Sequence, residues 1–329
     1  MSASRLSHAL SSGGIALPRE GRIALFNPRA ETDLAALPQD RLFAIQRHYP
    51  DHAALSRRGM ATATEPEGRF AAAIVFLPRA RAEGEALIAE AVAATDGPVI
   101  VDGQKTDGVD AMLKALRKRG SVSDAIAKAH GKCFQIAPGS DLTDWVAPAP
   151  TRTKDGFLTA PGVFSADGAD PASRLLTQHL PTSLSGRAAD FGAGWGYLSA
   201  ELARRDGITE LHLVEADHTA ISCAQGNVTS PVAQFHWNDA TTWTAPSALD
   251  VIVMNPPFHK GRAADPALGQ AFIANAARNL APTGRLYLVA NRQLPYEATL
   301  EDAFADVDTL GADPRFKIFV AQRPTRPRR

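Results

Sequence analysis

The segment Asn255-Pro256-Pro257-Phe258 carries the most definite chemistry in the sequence, and it directly follows an apolar run, Asp250 to Val253, that reads as a strand. Two prolines fix φ and remove two backbone donors, so the loop offers carbonyl oxygens and the Asn255 side-chain oxygen as acceptors. Acceptors of this kind suit an amine. A planar exocyclic NH₂ is a poor nucleophile because its lone pair is delocalised into the ring. Hydrogen bonds from its two protons to Asn255 Oδ1 and the Pro256 carbonyl would orient it and favour the positive charge that builds as it attacks. Phe258 would stack on the ring that bears the amine. The chemistry needs neither a metal nor a base of tuned pKa, because the proton can leave after the new bond forms. His259, Lys260 and Arg262 come next, placed either to touch a nucleic-acid phosphate or to form a solvated loop.

A second motif supplies the electrophile. Asp190-Phe191-Gly192-Ala193-Gly194-Trp195-Gly196 follows an apparent strand and opens a helix, a context in which glycines let the backbone approach a ligand without a Cβ clash. The strand Leu211 to Glu215 ends in an acid about 20 residues further on, the position that meets a ribose hydroxyl. The glycine spacing is narrower than that of dinucleotide binders, and no Gly-Lys-Ser/Thr follows for a nucleotide phosphate. S-adenosylmethionine therefore fits better than NAD or ATP. Asp239, after a third strand, is placed either to accept from the cofactor's adenine amine or to start the turn before Thr241 and Thr242. These residues predict methyl transfer to an amine and leave guanine, adenine and glutamine open as acceptors.

Composition sets the bounds. The chain has 329 residues, 45% hydrophobic and 21% charged, with zero net charge, enough for two cores and no polybasic arm. No apolar run is long enough to span a bilayer or to serve as a signal segment, so a cytoplasmic location with no membrane partner is expected. Cys133 and Cys223 lack metal-ligand spacing and read as buried thiols. Two basic clusters, Lys114 to Arg119 and Arg323 to Arg329, read singly as a solvated helix face and a solubilising tail.

A Pro-rich stretch, Ala147 to Pro150, divides the chain into expected domains 1–148 and 149–329. Beyond it, strands alternate with helices, which implies a parallel sheet covered on both faces. The first half repeats the second in weaker form. Ile74 to Pro78 parallels Ile252 to Pro256, Pro98 to Val101 parallels Arg285 to Val289, and Lys132 to Ile136 parallels Arg315 to Phe319. Two related α/β domains are therefore expected.

Together with Pro161-Gly162-Val163-Phe164-Ser165, Asp170, Ser173, Leu288 to Asn291, Leu294 to Tyr296 and Arg315-Phe316-Lys317, these motifs resemble the bacterial small-subunit ribosomal RNA guanine-N2 methyltransferases. The resemblance implies two tandem Rossmann-like class I methyltransferase domains, α/β with mostly parallel twisted sheets and helices on both faces, the N-terminal copy degenerate. It implies guanine N2 of 16S ribosomal RNA as the target, ribosomal RNA or a ribosomal subunit as the partner, and Phe164 as a further substrate contact. The alternatives are adenine N6, a protein glutamine, or a non-catalytic ribosome-assembly protein that binds RNA. Trp195 within the glycine loop, and Glu215 where Asp is common, depart from the family's pattern.

Overall fold

The computed structural model describes residues 4–257, 259–260, 263–264 and 266–325. The chain separates into two compact units, Met1–Ala149 and Pro150–Arg329, parted within the Pro-rich stretch. The N-terminal unit runs α1 (Arg5–Ser11), β1 (Ile23–Phe26), β2 (Leu42–Ile45), α2 (Tyr49–Arg57), β3 (Ala61–Ala63), β4 (Ala72–Phe76), α3 (Arg81–Ala94), β5 (Val99–Gln104), α4 (Val109–Leu116), β6 (Ile126–Lys128) and β7 (Gly131–Ile136). The C-terminal unit opens with a short hairpin, β8 (Thr151–Arg152) and β9 (Leu158–Thr159). It continues through α5 (Pro171–His179), β10 (Gly186–Phe191), α6 (Tyr197–Ala203), β11 (Ile208–Glu215), α7 (His218–Asn227), β12 (Ala233–Trp237) and β13 (Leu249–Met254). A second small hairpin, β14 (His259–Lys260) and β15 (Ala263–Ala264), precedes α8 (Pro266–Asn279), β16 (Leu280–Asn291), α9 (Glu297–Ala303), β17 (Phe304–Ala312) and β18 (Phe316–Pro324).

Each unit is built on a seven-stranded sheet, ordered β3-β2-β1-β4-β5-β7-β6 and β12-β11-β10-β13-β16-β18-β17. Every strand of one has a counterpart at the same place in the other. The three repeat segments seen in the sequence fall on β4 and β13, β5 and β16, and β7 and β18. Strands in the first five places pair in parallel, while β7 and β18 insert antiparallel between their neighbours. The sheets are thus mostly parallel, as expected, with the antiparallel strands at one edge: β16 joins β18 through α9 and β17, so the chain enters β18 from the opposite end.

The central strands of the second sheet are buried on both faces because they are apolar over most of their length. Ala188, Leu213, Val251, Val253, Val289 and Ile318 pack on one side. Their sequence neighbours Ala189, Val214, Ile252, Met254, Leu288 and Phe319 pack on the other, as the two-residue side-chain period requires. Cys133 and Cys223 are free and buried, and burial pushes both thiols up. Among the described residues no helix is long and apolar enough to cross a membrane, and no cluster of metal-ligating side chains occurs.

Candidate active site

β10 and β13 lie side by side and parallel, with Phe191 opposite Met254. From β10 the chain winds outward through β11 and β12 and then returns to β13, so the sheet's switch point falls between β10 and β13. Open α/β sheets bind ligands at that crevice. Two loops distant in sequence therefore leave the sheet together. Gly192, Gly194, Asn255, Asp170, Ser173 and Phe164 share one cleft.

The glycine loop is tied from two sides. The Gly194 N–H donates to Glu215 Oε2 at 2.8 Å, and the Asp217 N–H donates to Oε1 at 2.8 Å. Burial holds the Glu215 carboxyl above the usual range despite these bonds. Below the loop, Asp190 is fully buried and its Oδ2 accepts from Ser199 Oγ at 2.7 Å. Burial pushes its pKa up to about 7. Asp190, which the sequence places with the cofactor-binding residues, lies beneath the loop and is not among the residues that line the cleft.

The raised Asp190 pKa has a consequence for stability. Between about pH 4, where an unfolded aspartate ionises, and about pH 7, the folded state holds a proton that the unfolded state lacks. Stability from this group therefore falls as pH rises through that window, by roughly 1 kcal/mol per unit. In Asp190→Asn the group stays neutral, and the pH slope of urea-unfolding free energy between pH 4 and 7 is expected to flatten. An unchanged slope would remove Asp190 as its source.

Trp195 does not crowd the loop. Its ring is 4% exposed and sits in a satellite cluster with Ala160, Val163, Ala220 and Cys223. Its indole N–H donates to the Phe164 carbonyl at 3.0 Å. Asn227, at the end of α7, donates to the carbonyls of Leu158 and Trp195 at 2.8 Å each and accepts from the Leu158 N–H at 2.6 Å. Segment 158–165 is therefore strapped to the glycine loop. It ends at Ser165, whose φ of +56° turns the chain and whose Oγ donates to the Gly168 carbonyl. Phe164 is left 61% exposed at the cleft's edge.

Asn255 donates from Nδ2 to Asp170 Oδ2 and to Ser173 Oγ, both at 3.0 Å. Its Oδ1 receives no hydrogen bond from a described residue. Pro256 is buried and Pro257 exposed. Phe258 and Arg262 lie outside the described residues; His259 and Lys260 are described as backbone only, paired with Ala263 and Ala264. Asp239 sits past the end of β12, where its Oδ1 accepts from the backbone N–H and hydroxyl of Thr241 at 2.8 and 2.7 Å. That oxygen serves the turn. The motifs alone give no role to Asp170 or Ser173; the available signal was local, an Asp-Pro start to a helix with Ser at the third position. Of the basic clusters, Arg119 pairs with Asp144 and lies over Trp145, and Arg323 pairs with Asp306.

Comparison with known proteins agrees with this geometry. The family model "Methyltransferase small domain" matches residues 154–320. The chain is 31% identical over 320 residues to the ribosomal RNA small subunit methyltransferase C of Pseudomonas paraeruginosa, covering 90% of this chain and 95% of that one. It is 28% identical over 270 residues to its namesake from a Shewanella species, 78% of each chain. Among solved structures, a T. thermophilus 16S rRNA N2 methyltransferase in complex with AdoMet and guanosine superposes with a TM-score of 0.78 at 25% identity, covering 94% of this chain and 90% of that one. The glycine loop and the Asn-Pro-Pro loop meet at one cleft of a tandem Rossmann-like fold, and the chain belongs to the ribosomal RNA small subunit methyltransferase C family.

Proposed function

We propose that the chain transfers a methyl group from S-adenosylmethionine to the exocyclic N2 amine of a guanine in 16S ribosomal RNA. The observation that carries the reading is the Asn255 amide, whose two protons are committed to Asp170 and Ser173 so that its oxygen is left for a donor in the cleft. The residues around the cleft fit the cofactor. A Cβ built on Gly194 meets nothing within 4 Å, so the loop keeps a space that any side chain would enter. In this reading Gly192, Gly194 and Gly196 shape the cradle, Glu215 and Asp239 face the nucleoside portion, and Asp190 supports the loop.

When bound, S-adenosylmethionine supplies an electrophilic methyl group on a sulfonium. The chain's part is to orient the amine. Asn255 Oδ1 and the Pro256 carbonyl accept its two protons, turning the nitrogen lone pair toward the methyl group and stabilising positive charge as the bond forms. Pro257 keeps the loop rigid and withholds a competing donor. Phe258 and the exposed Phe164 offer ring faces to an unstacked base. His259, Lys260 and Arg262 lie next in sequence, where RNA phosphates would approach. The base must leave its stack to reach the cleft, so the partner is ribosomal RNA, free or within the small subunit, in the cytoplasm.

The N-terminal unit is the degenerate copy in this reading. Its loops after β1 and β4 carry Asn27-Pro28-Arg29 and Leu77-Pro78-Arg79 where the other unit has its glycines and Asn255. It holds RNA or assists the folding of the catalytic copy. Mass spectrometry of 16S ribosomal RNA from cells with and without the gene is the direct test. Loss of one N2-methylguanosine on deletion is expected; an unchanged nucleoside profile, or loss of an N6-methyladenosine, would overturn the assignment.

A further inference from the structure

Asp170 does two things with one oxygen. As the residue before α5 it accepts the Ser173 N–H at 3.0 Å, and the same Oδ2 accepts from Asn255 Nδ2 at 3.0 Å across 85 residues of sequence. Ser173 Oγ accepts the other amide proton. An ionised carboxylate has no proton to give. Turning the Asn255 amide over would set its oxygen against the Asp170 oxygen at that same distance, two acceptors in contact, and strand two donors toward the cleft.

We propose that Asp170, seconded by Ser173, is a positioning residue that locks the Asn255 amide with its oxygen toward the cleft and so makes the site accept a hydrogen-bond donor. The proposal rests on the reading of Asn255 as the residue that receives the substrate amine. It deepens that reading, because an asparagine presents a donor or an acceptor equally well until a neighbour decides between them. A locked Oδ1 selects an exocyclic amine; a released amide would present NH₂ in part of the population and repel it. Because Asp170 caps α5 and lines the same cleft as Gly192 and Gly194, the acceptor is set by the wall that faces the cofactor loop.

The test uses the full-length chain with S-adenosylmethionine and 16S ribosomal RNA, free and in the small subunit. Asp170→Asn keeps the size of the side chain but can donate as well as accept: with its oxygen at the shared position the cap and the Asn255 orientation are kept, and with its NH₂ there the cap bond is lost and the Asn255 amide is free to turn, so both Asn255 orientations become available. The expected result is a several-fold fall in kcat, in proportion to the share of the turned amide, with a slightly lowered melting midpoint from the weakened cap and an S-adenosylmethionine Kd, by calorimetry, within about twofold of wild type. Ser173→Ala should show a smaller fall of the same kind. Asn255→Asp alone should also be slow, since two carboxylates would then meet. The double variant Asp170→Asn/Asn255→Asp restores one donor facing one acceptor, at the cost of the Ser173 N–H cap bond, and leaves an oxygen toward the cleft, so it is expected to turn over faster than Asn255→Asp alone.

An unaffected kcat in Asp170→Asn, or no recovery in the double variant, would overturn the proposal. So would a weakened S-adenosylmethionine Kd with kcat intact at saturation, which would make Asp170 a cofactor ligand instead. If the wild-type chain forms no N2-methylguanosine, the functional reading falls and takes the proposal with it; an active wild type with an indifferent Asp170 overturns the proposal alone.

Discussion

Asn255→Ala lowers kcat by about 100- to 1,000-fold, as removal of one preorganised polar contact to a developing charge does elsewhere, while S-adenosylmethionine binds as before. The separation of the two effects follows from geometry. Asn255 sits at the end of β13 and is held through Asp170 and Ser173, whereas the cradle's own bonds run between Gly194 and Glu215. Alanine removes the acceptor without touching that bond. It also leaves Asp170 and Ser173 without the amide protons they received, so a modest loss of stability accompanies the change. Single-turnover methylation and calorimetric titration of S-adenosylmethionine on the same protein check both halves. Turnover near wild type would mean that the amine is held by another group.

Gly194→Val abolishes S-adenosylmethionine binding, and the methyl transfer that depends on it. Gly194 has φ of +56°, a conformation that costs a side-chain-bearing residue about 1–2 kcal/mol and a β-branched one more. Its Cβ would meet no protein atom within 4 Å, so valine meets little steric objection from the fold and fills the cleft. Gly196 provides the contrast. With φ of +90°, a Cβ there would lie 3.0 Å from Val228 Cγ2 and 3.2 Å from Ala224 Cβ, so Gly196→Ala is expected to lower stability before it affects binding. Calorimetry and urea unfolding on the two variants separate the effects. An unchanged cofactor affinity in Gly194→Val would mean that the loop does not face the cofactor.

Much of this protein is legible without coordinates because its informative signals are local. A strand that ends in Asp190 and a glycine run, another that ends in Glu215, and a third that ends in Asn-Pro-Pro each state their chemistry within a few residues, since glycine and proline restrict or free the backbone where they stand. The repeat between the two halves is likewise an apolar rhythm along the chain, and it falls on strands that occupy the same places in both sheets. What the sequence could not order is what long-range packing decides. The antiparallel insertion of β18 depends on which end of the sheet the chain re-enters, and strand periodicity is the same in either direction.

The bulk of Trp195 looks obstructive in a list of residues and is harmless in space, because the ring has a separate cluster to enter and a carbonyl to meet. Asp190, an acid at the usual place, is shut beneath its loop, where burial and not sequence sets its protonation. The sequence by itself determined that an acceptor, Asn255, stands after a strand in a chain that also carries a glycine-rich loop after another. Only the tertiary structure decided which way that amide faces, because the deciding carboxylate comes from a helix start 85 residues earlier, and contact between them exists only once the sheet has closed.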